Sequence, residues 1–217
     1  MSIQFPETDT IGIAVGTFGS DEWVQRARYL VEDIKENQTV KADNVVHVHG
    51  NTLAEARNTA AQYLWTDWVI FVDADDSLDV NYVKAMKVKT YGEEDALFQP
   101  STLGVYPDGK TDDYSVLIAK THLWKSNFLV IGTMCRLRSF VEVGGFRDYP
   151  VLEDWDLWIR MVINGAKVIV VPEAIYRVGV NEGSRNSNHK LHGQYYRIIR
   201  QEHNANREKL DTFEYIA

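Results

Sequence analysis

The sequence predicts an α/β fold in which a mostly parallel sheet is flanked by helices within a single domain. Three short apolar runs alternate with two segments of helical periodicity, and this order is typical of a parallel sheet with right-handed crossovers. The chain has 217 residues, 45% of them hydrophobic, so it can bury a substantial core. We expect residues 1–180 to form this domain and residues 181–217 to add a polar loop and a C-terminal helix packed on it.

The first predicted unit is a strand followed by an amphipathic helix. Ile11–Val15 is a short apolar run that ends at the turn Gly16–Ser20. A helix then begins at Ser20, with Asp21 and Glu22 in its first turn, where carboxylates interact favourably with the helix dipole. The apolar positions of this helix recur with the 3.6-residue period. They are Trp23, Ala27, Leu30, Val31 and Ile34.

The second unit ends in the strand that we expect to be most deeply buried. Val45–His49 is the second predicted strand, and Thr52–Glu55 is a capping box that starts a helix running to about Leu64. Trp68–Val72 is a continuous run of β-branched and aromatic residues. Such a run is typical of a central parallel strand that is covered on both faces.

The order of elements is less regular in the second half of the chain. The predicted helices are Val80–Val88, Ser139–Val143, Asp154–Asn164 and His192–Leu210. The predicted strands are Asp95–Gln99, Phe128–Met134 and Lys167–Val171, with a hairpin turn at Tyr106–Gly109 and a polar loop at Asn181–His192. Gly144–Gly145 and Gly165 end the second and third of these helices.

The composition indicates which binding partners and which cellular compartment to expect for this protein. The formal net charge is −8, so the surface should repel a phosphate backbone, and we expect no nucleic-acid partner. Cys135 is the single cysteine, which leaves no internal disulfide and favours a reducing compartment. The sequence shows no secretory signal and no apolar run of membrane-spanning length. These features predict a cytoplasmic protein with no integral membrane segment.

An acidic cluster follows the Trp68–Val72 run. In an open α/β sheet, ligands bind beyond the carboxyl ends of the strands, and Asp73, Asp75 and Asp76 are predicted to lie there. Carboxylates this close together favour a bound cation, and Mg²⁺ or Mn²⁺ would combine one or two of them with substrate phosphates. The alternative is a solvated acidic turn that caps the next helix through Ser77 or Asp79.

A second acidic group, Glu153, Asp154 and Asp156, begins the amphipathic helix. Asp154 is predicted at or next to the N-cap, where backbone N–H groups would increase its acidity while leaving it usable as a base toward a hydroxyl. The alternative is that these residues only favour a helix start beside core tryptophans. The pair Gly144–Gly145 allows either a close backbone approach to a ligand or a sharp turn.

Together, these motifs resemble the inverting glycosyltransferases of the GT-A fold, in particular glycosyltransferase family 2. The similar segments are Ile13–Phe18, Ala56–Asn58, the Asp-x-Asp segment Phe71–Asp76, and Val143–Phe146 followed by Glu153–Arg160. The resemblance covers roughly residues 10–180. Each segment alone is a weak signal, whereas the ordered set is fairly specific.

The resemblance implies transfer of a sugar, with inversion, from a UDP- or GDP-sugar to an acceptor hydroxyl, assisted by Mn²⁺ or Mg²⁺. Asp75 would coordinate the metal, Asp73 would contact the ribose or the metal shell, and Asp154 would be the general base. Further nucleotide and sugar contacts would come from Thr17, Phe18, Arg57, Gly144 and Gly145. The acceptor could be a protein, a glycan or a small molecule.

The sequence departs from the family pattern in three places. Val45–Gly50 lacks the acidic residue that recognises the nucleobase, and His49 is a candidate substitute. Where the family often has a metal-binding histidine, this chain offers Asn181, His189 or His192. The long second half is missing, so the acceptor site would be small, open or completed by another subunit of a homo-oligomer.

Three alternative functions remain open from the sequence. A haloacid dehalogenase-like phosphatase would use Asp73 as nucleophile and Asp75 as acid/base, although two strand-helix units precede the motif here. A nucleotidyltransferase would need a basic residue in its Gly-rich loop, and Gly16–Gly19 has none. A non-catalytic sugar-nucleotide-binding module would retain Asp73 and Asp75 while Asp154 stays idle.

Overall fold

A nine-stranded mixed sheet is the centre of the computed structural model, which describes residues 9–90, 92–93, 95–115, 122–180 and 188–216. The strands are β1 Ile11–Phe18, β2 Asn44–Gly50, β3 Trp68–Val72, β4 Ser77–Leu78, β5 Ala96–Val105, β6 Thr111–Asp113, β7 Met134–Arg136, β8 Lys167–Gly179 and β9 Tyr215–Ile216. The helices are α1 Asp21–Asn37, α2 Leu53–Gln62, α3 Tyr82–Lys89, α4 Leu137–Glu142, α5 Glu153–Ile163, α6 His189–Glu202 and α7 Arg207–Thr212, with a 3₁₀ turn at Asn204–Asn206.

The long strands of the sheet all run in the same direction. The strand order is β2-β1-β3-β7-β5-β8-β4, with β6 added beside β5 and β9 beside β8. Strand β1 is parallel to β2 and β3, and β5 is parallel to β8. The short β7 is antiparallel to both β3 and β5, so those two strands point the same way. This arrangement confirms the predicted α/β fold with a mostly parallel sheet.

Helix α2 packs unusually close to β1 and β2 because two glycines face it. The chain passes from β1 to β2 through α1, then back across β1 to β3 through α2, so right-handed crossovers place the two helices on opposite faces. A Cβ atom on Gly16 would lie 2.7 Å from Cγ and 2.9 Å from the backbone nitrogen of Arg57. A Cβ on Gly50 would lie 3.0 Å from the nitrogen of Ala56.

The hydrophobic core extends along the sheet from β1 to the C-terminal helices. Every residue of β3 is buried, and α5 contributes Trp155 and Trp158, which are fully buried. Ile199 of α6 and Leu210 of α7 are also buried in this core. No helix within the described parts of the chain is long and apolar enough to cross a membrane.

Several predicted elements have the bounds and caps expected from local sequence. Strand β3 spans Trp68–Val72 as predicted, and Ser20 is the N-cap of α1. Thr52 Oγ1 accepts a hydrogen bond from the Glu55 nitrogen at 3.2 Å, which is one half of the predicted capping box. The other half is displaced by one residue, because Glu55 accepts from the nitrogen of Asn51 instead.

The predicted strand Phe128–Met134 is wrong. Only Met134–Arg136 forms a strand, and the preceding residues are irregular although Leu129 and Ile131 are buried. Side-chain and turn hydrogen bonds are made here instead of strand pairing: Tyr82 Oη donates to the carbonyl of Gly132 at 2.6 Å, and the nitrogen of Thr133 donates to the carbonyl of Val130 at 2.9 Å. Tertiary packing therefore overrides a sequence pattern that is typical of a strand.

Two boundaries near the C-terminus also differ from the prediction. Strand β8 continues to Gly179 instead of ending at Val171, because a bulge accommodates Pro172 and pairing with β5 resumes at Ile175. The predicted helix His192–Leu210 begins at His189 and is interrupted after Glu202 by the Asn-rich 3₁₀ turn. Most of the predicted polar loop, residues 181–187, lies outside the described residues.

The different surroundings of Gly16 and Gly193 predict opposite effects on stability when each is changed to alanine. Gly16→Ala should lower the free energy of unfolding by about 1–3 kcal/mol, because the new methyl group overlaps Arg57. Gly193→Ala in α6 meets no atom within 4 Å and should raise it by about 0.5–1 kcal/mol. Urea unfolding of both variants measures the difference, and equal stability of Gly16→Ala and wild type would contradict the packing constraint.

Candidate active site

A buried arginine lies between the two predicted acidic sites. Arg57, in α2, is only 2% exposed. Its Nη2 donates to Asp73, directly after β3, and its Nη1 donates to Glu153 Oε1 at 2.9 Å, at the start of α5. Burial alone would lower the pKa of this guanidinium, but the charges of Asp73 and Glu153 raise it above its usual value. The arginine is therefore a permanent cation that joins the two sites.

Asp76 ties the acidic turn after β3 to strand β8. Its Oδ2 accepts from Tyr176 Oη at 2.6 Å, and its Oδ1 accepts from the nitrogen of Gly179 at 2.9 Å. Burial and the charges of Asp73 and Asp75 raise the pKa of Asp76 well above its usual value. Asp76 therefore acts as a structural tether.

Asp75 lines an open cleft of about 540 Å³ between α1 and the β5–β6 hairpin. The other residues of this cleft are Arg26, Tyr29, Leu30, Asp33, Ala74, Asp76, Ser77, Val105, Tyr106, Pro107 and Gly179. The three acidic side chains of the turn thus have different surroundings: Asp73 contacts Arg57, Asp76 contacts β8, and Asp75 is partly exposed at the cleft. A carboxylate oxygen at this position can coordinate a cation together with the phosphate oxygens of a bound ligand.

Asp154 is the second residue of α5, two positions after the N-cap residue Leu152. Its Oδ1 accepts from the nitrogen of Trp155 at 2.7 Å, and its Oδ2 accepts from Asn127 Nδ2 at 3.0 Å. Burial and the neighbouring charge of Glu153 nevertheless raise the pKa of Asp154 to about 6. The expected increase in acidity is therefore wrong, because desolvation outweighs the hydrogen bonds.

Two histidines of β2 contact Thr17 at the carboxyl end of β1. Thr17 is 3% exposed, and its Oγ1 lies 2.8 Å from His47 Nε2 and 3.1 Å from His49 Nδ1. Burial, His49 and Arg28 lower the pKa of His47. Phe18, the next residue, is 37% exposed. His49 pairs with Thr17 in the sheet register, so it occupies the place where the sequence lacks a carboxylate.

Gly144 and Gly145 form the turn that ends α4. Both have positive φ angles, 87° and 66°, a region that glycine adopts without strain. A Cβ on Gly145 would lie 2.6 Å from Asn58 Oδ1. Asn58 also holds the backbone of Phe146 from both sides, accepting from its nitrogen at 2.8 Å and donating to its carbonyl at 2.9 Å. The turn thereby places the Phe146 ring 5.0 Å from the Arg57 guanidinium.

One group of three candidate metal ligands occurs among the described residues. Ligand atoms of Asp156, Glu202 and His203 lie within 4.8 Å of one another, so the geometry could hold an ion. Two arginines already neutralise these carboxylates: Arg160 Nε lies 2.8 Å from Asp156, and Arg147 contacts both Asp156 and Glu202. This cluster is therefore an ion-pair network at the junction of α5 and α6.

The candidate histidines after β8 do not join a metal group within the part of the chain that the structure describes. His189 is exposed in the first turn of α6, and His192 is half-buried one turn later. Neither belongs to a cluster of three potential ligands there. Asn181, the third candidate, lies outside the described residues.

Sequence reasoning missed two residues that contact the predicted site. Asn127 lies directly before the predicted strand Phe128–Met134, and no local pattern indicates its bond to Asp154. Tyr176 lies beyond the predicted end of the last strand at Val171, yet its hydroxyl group accepts a 3.3 Å hydrogen bond from the nitrogen of Asp73. Both contacts depend on long-range packing.

The opposite pKa shifts of Asp154 and Asp156 predict a contrast in stability. Folding raises the pKa of Asp154 from 3.8 to about 6, so its ionisation costs stability as pH rises through this window. Asp154→Asn should therefore raise the free energy of unfolding at pH 7 by about 1–3 kcal/mol, and by roughly half as much at pH 5.

Asp156→Asn is the matched control on the same helix. Burial opposes its ionisation, but His203 and Arg160 lower its pKa, so ionised Asp156 contributes stability that is lost as pH falls. This variant should be less stable than wild type at pH 7. Urea unfolding at pH 5 and pH 7 tests both changes, and a loss of stability in Asp154→Asn at pH 7 would argue against the electrostatic cost.

The fold is similar to crystal structures of S. aureus TarS. The chain is 15% identical to TarS with a TM-score of 0.60, covering 79% of this chain and 37% of that one. The structure of TarS 1–349 in complex with UDP-GlcNAc has a TM-score of 0.61 and 15% identity, over 82% of this chain and 61% of the other. TarS 1–349 in complex with UDP gives a TM-score of 0.55 and 15% identity, over 79% and 61%.

These likenesses show the fold and confirm the predicted GT-A architecture, although the chain spans only 37–61% of the length of these structures. No curated protein matches the sequence. The family model for glycosyl transferase family 2 matches residues 25–146, more than half of the 217-residue chain. The matched region includes Arg57, the acidic turn after β3 and the turn at Gly144–Gly145. The chain therefore belongs to glycosyl transferase family 2.

Proposed function

We propose that this protein is a glycosyltransferase that moves a sugar from a nucleoside diphosphate to an acceptor hydroxyl with inversion. The observation that carries the proposal is the buried Arg57, which contacts Asp73 on the leaving-group side and Glu153 beside the proposed base. A one-step displacement needs a cationic environment for the departing diphosphate and a base for the attacking hydroxyl. Arg57 fixes these two sites relative to each other.

The donor side of the proposed site fits a Mn²⁺ or Mg²⁺ ion. Asp75 offers a carboxylate at the wall of the open cleft, and these ions combine such a ligand with substrate phosphates. Asp73 would contact the ribose or the metal shell, while Arg57 holds its carboxylate in place. When bound, the ion would neutralise negative charge on the diphosphate.

The nucleoside would lie at the carboxyl ends of β1 and β2. The exposed Phe18 ring offers a surface on which a nucleobase could stack. The hydroxyl group of Thr17 contacts the rings of His47 and His49 and orients them. We infer that His49 replaces the acidic residue that the family uses to recognise the base. The TarS structures hold UDP-GlcNAc and UDP, which favours a UDP-sugar over a GDP-sugar as the donor.

Asp154 is the proposed general base. With a pKa of about 6 it is largely ionised at pH 7, yet it is a stronger base than an ordinary aspartate. As the acceptor oxygen attacks the anomeric carbon, Asp154 would take the hydroxyl proton while the bond to the diphosphate breaks. Gly144 and Gly145 would shape the sugar-binding region indirectly, through the position of Phe146.

Family membership and the contacts of Asp73 favour this function over a phosphatase. The charge of the buried Arg57 guanidinium, which pairs with Asp73, would make this carboxylate a poorer nucleophile. A phosphorylated Asp73 recovered after turnover would support the phosphatase instead. A non-catalytic sugar-nucleotide-binding module would bind the donor and leave Asp154 idle, which turnover measurements distinguish.

Several sequence-based expectations remain predictions. They are a catalytic domain at residues 1–180 with an appended segment at 181–217, a cytoplasmic location, no nucleic-acid partner, and a possible homo-oligomer. The acceptor, whether a protein, a glycan or a small molecule, is the least constrained. A panel of sugar nucleotides assayed for slow hydrolysis would identify the donor without an acceptor.

Nucleotide binding should depend on Asp75. UDP or GDP with Mn²⁺ at about 100 times its Kd should stabilise the fold by roughly 2.7 kcal/mol, which raises Tm by several degrees. Asp75→Ala should abolish this shift, while Asp21→Ala, on α1 outside the cleft, should retain it. The absence of stabilisation by every nucleoside diphosphate tested with metal would refute the transferase proposal.

Asp154→Asn should separate binding from chemistry. We expect nucleotide binding to persist and turnover to fall by about 10²–10⁴-fold, because a positioned general base contributes this much. Asp148→Asn, an exposed control shortly before α5, should keep normal turnover. Initial rates with the identified sugar nucleotide check both variants, and unchanged turnover in Asp154→Asn would mean that the base is elsewhere.

A further inference from the structure

Asn127 is the one side chain in the described residues that donates a hydrogen bond to Asp154. Its Nδ2 lies 3.0 Å from Asp154 Oδ2. The other carboxylate oxygen accepts from the nitrogen of Trp155, which belongs to the same helix turn. Asn127 is thus the contact that comes from another part of the chain, 27 residues away.

The orientation of the Asn127 amide depends on Asp154. Its Oδ1 is buried and has no hydrogen-bond partner among the described residues. If the amide group were rotated so that Oδ1 and Nδ2 exchanged places, Oδ1 would face the carboxylate of Asp154, and these two acceptors would repel each other. A buried carbonyl group without a partner costs stability, so fold stability alone does not explain an asparagine here.

The segment that carries Asn127 is anchored on both sides of this residue. Three side chains, one each from α5, α6 and β5, donate to carbonyl groups of residues 122–128. They are Trp155 Nε1 to Leu123 at 2.8 Å, Tyr196 Oη to Lys125 at 2.8 Å, and Gln99 Nε2 to Phe128 at 3.2 Å. Trp155 follows Asp154 directly, so the same helix turn holds both the segment and the carboxylate. The Asn127 amide is therefore presented on a fixed support.

We propose that Asn127 is a positioning residue for the general base. It holds Asp154 Oδ2 from one direction and favours the ionised carboxylate, so that a remaining lone pair can meet the acceptor hydroxyl. The inference rests on the proposed role of Asp154 and adds a residue that lies outside the short sequence segments that resemble the family motifs.

The charges around Asp154 determine what loss of this bond would do. Glu153, beside it on α5, disfavours the ionised form, whereas Arg57 from α2 favours it. Burial opposes ionisation, and the bonds from Asn127 and Trp155 partly compensate. Without the Asn127 donor, Asp154 should ionise at higher pH, which moves the acidic limb of the rate profile upward.

The test is the pH dependence of kcat in two Asn127 variants. Asn127→Leu removes the donor at similar volume and should move the acidic midpoint up by about one unit, with roughly fivefold slower turnover near pH 6 and recovery above pH 8. Asn127→Asp, which preserves shape, places a second carboxylate against Asp154 and should move the midpoint further. KM for the sugar nucleotide should stay unchanged in both.

Two controls make the result specific. Ser126→Ala changes the neighbouring residue, whose hydroxyl group makes no hydrogen bond to any residue that the structure describes, and its profile should match wild type. Asn127→Gln retains an amide donor and should lie between wild type and Asn127→Leu. If Asn127→Leu fails to fold, the isosteric Asn127→Asp carries the test.

The outcomes distinguish this inference from the proposed function. A uniform loss of rate with an unmoved midpoint would show a merely structural role and overturn the inference, as would unchanged profiles in every Asn127 variant. Asp154→Asn, measured in parallel, tests the base itself. Full turnover in that variant would refute the proposed base, whereas its inactivity together with unmoved Asn127 profiles would refute the inference alone.

Discussion

The buried guanidinium of Arg57 is the interaction on which the site depends. It connects Asp73, at the end of β3, to Glu153, at the start of α5. These two residues are 80 positions apart in the sequence. A buried charge needs partners of opposite charge, which Arg57 finds in two carboxylates, and removing one partner of such a pair typically costs about 3–5 kcal/mol. The pairs therefore fix the distance between the two acidic sites, and α2 must lie where its arginine can reach both.

Other features of the fold serve this arrangement. The absence of a side chain at Gly16 lets the arginine cross β1, and the turn at Gly145 places an aromatic ring against its guanidinium. Asp73 is held by Arg57 and does not line the cleft, whereas the carboxylate two residues later does. A short acidic motif thus provides three side chains with different contacts, which are set by their neighbours rather than by residue type.

Features with a local physical cause could be predicted from the sequence. The apolar run of β3 and the Thr52 cap depend on a few adjacent residues, and the ordered motifs placed Arg57, Asp73 and Asp154 near one site. Contacts between distant segments could not be predicted, because the bond from Tyr176 to Asp76 spans 100 residues without a periodic pattern. The pKa of Asp154 could not be predicted either, since the burial of this residue depends on the whole fold. For the same reason the sequence did not show that side-chain and turn hydrogen bonds replace strand pairing in Phe128–Met134.

The tether between Asp76 and β8 also bears on how the protein assembles. The acidic turn with Asp75 lies in the first half of the chain, but it is anchored by residues that are synthesised about 100 positions later. Contacts of such high sequence separation form late, because loop-closure entropy must be overcome first. A nascent chain can therefore complete the three parallel N-terminal strands well before the acidic turn acquires its final geometry, so the proposed cation site would be completed late in folding.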